Sequence, residues 1–267
     1  MPETNLANLF ASKFIARPDV KAIQFRNGAW APHCEINPET RKHDGARIPW
    51  RREDLEAHLQ GTSTFGHYLL STESQAKLFA FDIDLEKAGH LPSGPFFGED
   101  EPELVEESDL RGSWLNRAHV ARDYMKLQFK QLAHLLCAKI VTELEIPCAV
   151  AYSGGKGVHV YGFTGLMPAK DVRWAAQIII DDLPELTAVR GVNFFKHSAF
   201  PNLSIEVFPK QETLDGKDLG NLMRLPLGRN LKSSDPTFFI DMTAPLGSMQ
   251  PMDPVTALQI ENPWVAF

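Results

Sequence analysis

Apolar and polar positions recur along this chain with two periods, and each period predicts elements. Residues 5–16 carry Leu6, Leu9, Phe10, Phe14 and Ile15 at helical spacing, which predicts a short amphipathic helix ending before Pro18. Lys21 to Phe25 alternates instead, and Asn27-Gly28 before Ala29-Trp30 completes a β-hairpin pattern. Residues 33–52 are polar and loop-like, and a short helix is expected from Arg52 to about Leu59. Gly66 to Leu70 reads as a strand. So does Leu78-Phe79-Ala80-Phe81-Asp82-Ile83-Asp84-Leu85-Glu86, whose apolar run enters two carboxylates. Residues 87–112 hold several prolines and glycines and read as an inserted acidic loop.

The longest helix is expected from about Asn116 to Glu145, with Tyr124, Leu127, Leu132, Leu135, Leu136, Ile140 and Leu144 on its buried stripe and Pro147 beyond its end. Ala149 to Tyr152 and Val158 to Phe163 are predicted strands, a helix follows over roughly Ala169 to Asp182, and Ile205 to Phe208 is a strand closed by Pro209. Leu222 to Leu227 and Phe238 to Ile240 are short strand candidates, and residues 253–260 offer a last helical turn or two. Mixed strands and helices without internal repeats place the chain in the α+β or α/β class.

Composition narrows the class further. A length of 267 residues with 43% hydrophobic content fits one large domain or two small lobes, and residues 1–267 are read as a single catalytic unit. No apolar run approaches the roughly 18 residues of a membrane span, so no membrane association is expected. Met1-Pro2-Glu3-Thr4-Asn5 has no basic-then-apolar signal pattern, and Cys34, Cys137 and Cys148 form no CxxC pair. Both features point to a cytoplasmic protein with reduced thiols. The net charge of −7 argues against a nucleic-acid binder until its distribution is read: residues 99–109 alone contain seven acids and no base, which leaves a neutral body. Arg41, Lys42, Arg47, Arg51 and Arg52 form a basic cluster suited to a phosphate backbone, or equally to a solvated surface loop.

Three constellations carry chemistry. Asp82 and Asp84 stand two apart on a strand and so share a face. Paired carboxylates repel, and a hard divalent cation, Mg²⁺ or Mn²⁺, is the usual remedy, although a strand running into an acidic loop would show the same residues. The second is Ser153-Gly154-Gly155-Lys156-Gly157-Val158-His159, a turn between strands whose glycines let backbone N–H groups converge on an anion. Lys156 adds charge, Ser153 and His159 add hydrogen bonds, and alternation turns His159 away from Val158 and Val160. It is not a Walker A loop, because Gly157 and a strand follow the lysine. The third is Glu206, an acid in the apolar run Ile205-Glu206-Val207-Phe208-Pro209-Lys210-Gln211, followed by Arg224 and Arg229 near a turn.

A strand ending in DxD, then SGGKGVH, then EVFPKQ and GNLMRLPLG, resembles the archaeo-eukaryotic primase–polymerase superfamily over roughly residues 50–230. It is most like the primase domains of primase–helicase proteins from mobile elements and defence systems. The resemblance implies an α+β fold of two lobes, an N-terminal α/β module and an RRM-like module with a mixed or antiparallel sheet, and an active site between them. It implies Asp82, Asp84 and Glu206 as ligands of two divalent ions, Mg²⁺ or Mn²⁺, with His159 as a further catalytic residue. Ser153, Gly154, Gly155, Lys156, Gly157 and His159 would hold the triphosphate, with Lys210, Arg224 and Arg229 as further nucleotide contacts. Relatives often carry Asp where this chain has Glu206, and His33, Cys34 and His43 make no ordinary four-ligand set, so no structural zinc is expected. The implied partners are a single-stranded DNA template, a primer 3′ end, an NTP or dNTP, and a helicase domain or protein for unwinding. Tyr152, Trp50 and Phe208 are candidates for base stacking or for the core. Three rivals share parts of the pattern: a haloacid-dehalogenase-type phosphatase with Asp82 as nucleophile and Asp181-Asp182 as its late acidic pair, a DxD glycosyltransferase, and a non-catalytic nucleic-acid-binding module.

Overall fold

The computed structural model describes residues 3–86, 89–90, 104–105, 120–245 and 247–259. Its elements run α1 (Glu3–Phe14), β1 (Ala22–Gln24), β2 (Trp30–Pro32), α2 (Arg52–Leu59), β3 (Phe65–Tyr68), β4 (Gln75–Leu85), β5 (Gly89–His90), β6 (Leu104–Val105) and α3 (Val120–Leu144). They continue with β7 (Cys148–Tyr152), β8 (Gly157–Pro168), α4 (Ala169–Asp181), β9 (Leu186–Arg190), β10 (Phe194–His197), β11 (Leu203–Phe208), β12 (Leu222–Arg224), β13 (Phe238–Phe239) and α5 (Pro254–Gln259).

Seven strands form one sheet in the order β13-β7-β8-β4-β11-β10-β9, and four form another in the order β12-β3-β1-β2. Every pairing in the larger sheet is antiparallel. Its centre follows the succession β4-α3-β7-β8-α4-β11 with β4 and β8 inside, the βαββαβ arrangement of the ferredoxin-like, RRM-type module. The fold is α+β.

The long β4 shows why the letters matter. Phe79, Phe81 and Ile83 are wholly buried on one side, and Leu78 and Ala80 on the other, so both faces are covered over its apolar half. Gly162 is required where β8 crosses Phe79: a Cβ there would come within 2.3 Å of the Phe79 ring. α4 presents Val172, Ala176, Ile179 and Ile180 to the core, and α3 presents Phe129, Leu132, Leu136 and Ile140. Each of these side chains except Ala176 contributes roughly 1.5–3 kcal/mol by leaving water. On the opposite face, Phe14 of α1 packs edge-on against Tyr161 and Phe163, with ring centroids 5.1 and 5.4 Å away. One continuous apolar cluster runs from Ala7 in α1 to Leu258 in α5, so the two sheets share a core.

Four strands were not foreseen, β9 and β10 and, in the stretch expected as a loop, β5 and β6. β9 is exposed along four of its five residues, and β10 buries Phe195 and His197 in alternation, so neither carries an alternation of apolar and polar letters. The acidic insertion 87–112 lies largely outside the described residues, where only the two-residue β5–β6 ladder belongs to it, and the long helix is described from Val120 onward. Within the basic cluster, Arg47 pairs with Asp218 and Arg52 with Glu56 along α2.

Candidate active site

Strand pairing brings the three constellations together. On β4, Asp82 stands directly opposite His159 of β8 on one side and Glu206 of β11 on the other. Three neighbouring strands thus contribute one polar row. Two residues further along β4, on the same face, Asp84 stands opposite Gly157 and Ser204. Gly157 is glycine for want of space: a Cβ there would lie 2.3 Å from Asp84 Oδ1 and 2.5 Å from the Ile83 carbonyl.

Within the row, His159 Nε2 lies 3.3 Å from Asp82 Oδ1, and its Nδ1 lies 2.8 Å from the Tyr161 hydroxyl. Burial, then the nearby Asp82 charge, pushes the Tyr161 phenol well above its ordinary range, so it keeps its proton. The hydroxyl and Nδ1 share one hydrogen bond, and Nε2 faces Asp82. Tyr161 was not singled out from the sequence, although alternation along Val158-His159-Val160-Tyr161 places it on the face of His159.

Asp84 keeps an open side to solvent, yet protein atoms crowd it. That crowding, then the charges of Asp82 and Glu206, pushes its carboxyl up to about 7, while His159 and Arg224 pull it down. Lys210 forms an ion pair with Glu206 and lies over the rings of Phe208 and Phe194, 4.7 and 5.3 Å from their centroids. Its ammonium thus serves the acid row.

The glycine turn between β7 and β8 closes through the Ser153 N–H, which donates to the Gly157 carbonyl at 3.1 Å. Gly154 is left-handed, with φ of +71°. Arg224 of β12 donates to the Ser153 carbonyl and lies over the Trp30 ring at 5.7 Å, linking the smaller sheet to this turn. Its field also reaches Asp84. Arg229 takes a different place. Its side chain is exposed, and its carbonyl accepts a hydrogen bond from Thr64 Oγ1. Tyr152 is fully buried, with its hydroxyl bonded to Asp235 and to the Gly155 carbonyl, so it presents no ring for a base. Phe208 lies beneath Lys210, and Trp50 packs edge-on against Phe65.

Among the described residues, no three His, Cys, Asp or Glu side chains stand converged as a finished metal cage. The donor chemistry nevertheless fits a hard divalent cation. Asp82 Oδ1 and Glu206 Oε1 are buried without a hydrogen-bond partner, on residues that face each other across β4 and β11. Their contacts with His159 and Lys210 are close in distance but lack hydrogen-bond geometry. Buried, unsatisfied carboxylate oxygens beside a third acid are what such an ion relieves.

An RRM-type sheet with an acid–histidine row beside a glycine-lysine turn defines the archaeo-eukaryotic primase class. Residues 5–250 match the family described as TOTE conflict system, Archaeo-Eukaryotic Primase domain, and the chain belongs to that family. A search of curated proteins gives no match. Among solved structures, the polymerase domain from Mycobacterium tuberculosis ligase D in complex with DNA aligns with a TM-score of 0.43 and 11% identity, over 96% of this chain and 86% of that one.

Proposed function

We propose that this chain is a template-dependent nucleotidyltransferase, a DNA primase and/or primer-extending polymerase, that adds an NTP or dNTP to a primer 3′ end on a single-stranded DNA template. The observation that carries the reading is the row His159–Asp82–Glu206 across β8, β4 and β11, with the glycine turn at the end of the same hairpin. Asp82, Asp84 and Glu206 would hold two Mg²⁺ or Mn²⁺ ions, which when bound supply the positive charge that eases hydroxyl deprotonation and pyrophosphate departure. The protein's own groups do the rest. Ser153 and the amides of the glycine turn bind triphosphate oxygens, and Lys156 offsets their charge. His159, held between Tyr161 and Asp82, presents a fixed imidazole beside the leaving phosphates. Arg224 fixes the turn through the Ser153 carbonyl. In priming, the attacking hydroxyl comes from a first nucleotide.

The phosphatase alternative loses its second acidic pair. Asp181 ends α4, Asp182 follows it, both are exposed, and Asp182 pairs with Lys139 of α3. The test is synthesis on a single-stranded template with labelled nucleotides and Mn²⁺ or Mg²⁺, with and without an annealed primer, beside an Asp82→Ala/Asp84→Ala variant. Variant-sensitive products without primer identify a primase, and products only with primer identify an extending polymerase. Absence of both, with Asp82-dependent hydrolysis of a generic phosphate ester, would overturn the reading.

A further inference from the structure

Behind the glycine turn lies a second turn, residues 228–237, of which the sequence motifs reach only Gly228 and Arg229. Its polar side chains are buried: Asn230 and Asp235 are 5% exposed, and Thr237 is 4% exposed. Buried polar groups persist when each finds a partner: Thr237 Oγ1 accepts the Gly228 N–H, Asp235 accepts from the Tyr152 hydroxyl, and Asn230 reaches the glycine turn. Asn230 Nδ2 donates to the Gly154 carbonyl at 2.9 Å, and Ser233 Oγ donates to the same oxygen. The Tyr152 hydroxyl lies 3.0 Å from the Gly155 carbonyl and 2.8 Å from Asp235 Oδ2.

Asn230 is itself held from the smaller sheet. Its Oδ1 accepts from Gln24 Nε2 at 3.4 Å and from the Lys232 N–H at 3.1 Å, while Gln24 Oε1 accepts the Leu231 N–H at 2.9 Å. Gln24 is buried at the end of β1. The amide of Asn230 is therefore oriented by its oxygen, which fixes the nitrogen on Gly154. Packing agrees, since a Cβ on Gly154 would meet Asn230 Cβ and Thr237 Cγ2, each at 2.8 Å.

A peptide unit is planar and trans, so its N–H points opposite to its C=O. Pinning the Gly154 and Gly155 carbonyls toward the 228–237 turn directs the Gly155 and Lys156 N–H groups away from it. We propose that Asn230 and Tyr152, the latter sharing its one hydroxyl proton between the Gly155 carbonyl and Asp235 Oδ2, are positioning residues that aim these two amides at phosphate oxygens of the incoming nucleotide. The proposal deepens the preceding reading and rests on it for the identity of the ligand. It gives the turn its preorganisation: donors fixed before the anion arrives lose no orientational freedom when it binds.

The test follows the Gly155 and Lys156 amide resonances of ¹⁵N-labelled protein during titration with inorganic tripolyphosphate. Both amides are expected to shift in the wild type. Tyr152→Phe removes only a hydroxyl and is expected to raise the midpoint about three- to tenfold, the size of one hydrogen bond. Asn230→Asp puts an acceptor against the Gly154 carbonyl and is expected to raise it about tenfold or more. In primer extension the same variants should raise KM for the nucleotide with kcat within about threefold. Melting temperature is read alongside, because a brace with a purely structural role would lower it and leave the titration midpoint unchanged. That result overturns the proposal, as does a wild type whose two amides do not respond. A wild type that makes no product but whose amides respond and weaken in the variants refutes the polymerase reading and leaves the positioning role standing.

Discussion

The three glycines of the turn differ in what an added methyl would meet, and alanine substitution at each makes a graded prediction. At Gly154, φ is +71°, and the new Cβ would lie 2.8 Å from both Asn230 Cβ and Thr237 Cγ2. Left-handed backbone costs a residue with a Cβ roughly 1–2 kcal/mol. Overfilling a packed site typically costs a further ~1–3 kcal/mol. Gly154→Ala is thus expected to lose about 2–5 kcal/mol. At Gly155 the nearest atoms are Asn230 Nδ2 at 3.3 Å and Ser153 Oγ at 3.7 Å, so the new methyl meets one slightly tight contact and no backbone. Gly155→Ala is expected to cost less than about 1 kcal/mol. At Gly157 the obstacle is the Ile83 carbonyl at 2.5 Å as well as Asp84 Oδ1 at 2.3 Å. Gly157→Ala is expected to cost about 1–3 kcal/mol and to displace the Asp84 carboxylate, cutting primer extension more than about tenfold. Urea unfolding gives the stabilities, and extension of an annealed primer gives the activities. The reasoning is refuted if Gly155→Ala costs as much as Gly154→Ala, or if Gly157→Ala keeps full activity.

Other outcomes follow from the same geometry. Burial lowers His58 and His67 from 6.5 to about 4, so the unfolded chain takes up these protons first as pH falls. Their contribution to stability, on the order of 3 kcal/mol each, is complete above about pH 6.5 and is lost progressively toward pH 4. Thermal unfolding between pH 7.5 and 5 should show the decline, and His67→Phe should flatten it. Lys130 is 2% exposed and donates to the carbonyls of Ala244, Pro245 and Ser248. Lys130→Met strands all three and should cost about 2–4 kcal/mol by urea unfolding; a loss below about 1 kcal/mol would discount the anchor. Lys210→Met removes the cation paired with Glu206, so Mn²⁺ binding, read by electron paramagnetic resonance, should tighten up to about fivefold. Weaker Mn²⁺ binding in that variant would show that Lys210 supports the ion rather than competing with it.

The sequence made the acid row legible because strand alternation is a short-range rule. Asp82, Asp84 and His159 each sit on a strand whose apolar neighbours fix the facing side, and the pairing of β4 with β8 and β11 brings them together with Glu206. Asn230 was invisible for the opposite reason. Its hydrogen bond to Gly154 spans 76 positions, and nothing in Arg229-Asn230-Leu231 distinguishes a buried amide from a surface turn. The edge strand β9 escaped because exposure along it erases the alternation that marks a strand, and its neighbour β10 because Phe194-Phe195-Lys196-His197 has no alternation of apolar and polar letters. Lys210 was placed with the nucleotide from its neighbours in sequence, whereas the rings of Phe194 and Phe208 hold it over Glu206.

β12 has a consequence for how the protein is made. It pairs with β3 through Leu222 opposite Tyr68 and Arg224 opposite Gly66, closing a loop longer than half the chain. Such a contact raises contact order and forms late in folding. During synthesis, the first three strands of the smaller sheet leave the ribosome long before their fourth, and β3 waits with one edge unpaired. An unpaired edge invites association with other chains, so this interval is where nascent molecules are most exposed to aggregation. Because Arg224 arrives with β12, a chain halted before that strand also lacks the link between the smaller sheet and the glycine turn. The link between the smaller sheet and the candidate site is therefore made only once β12 has been synthesised.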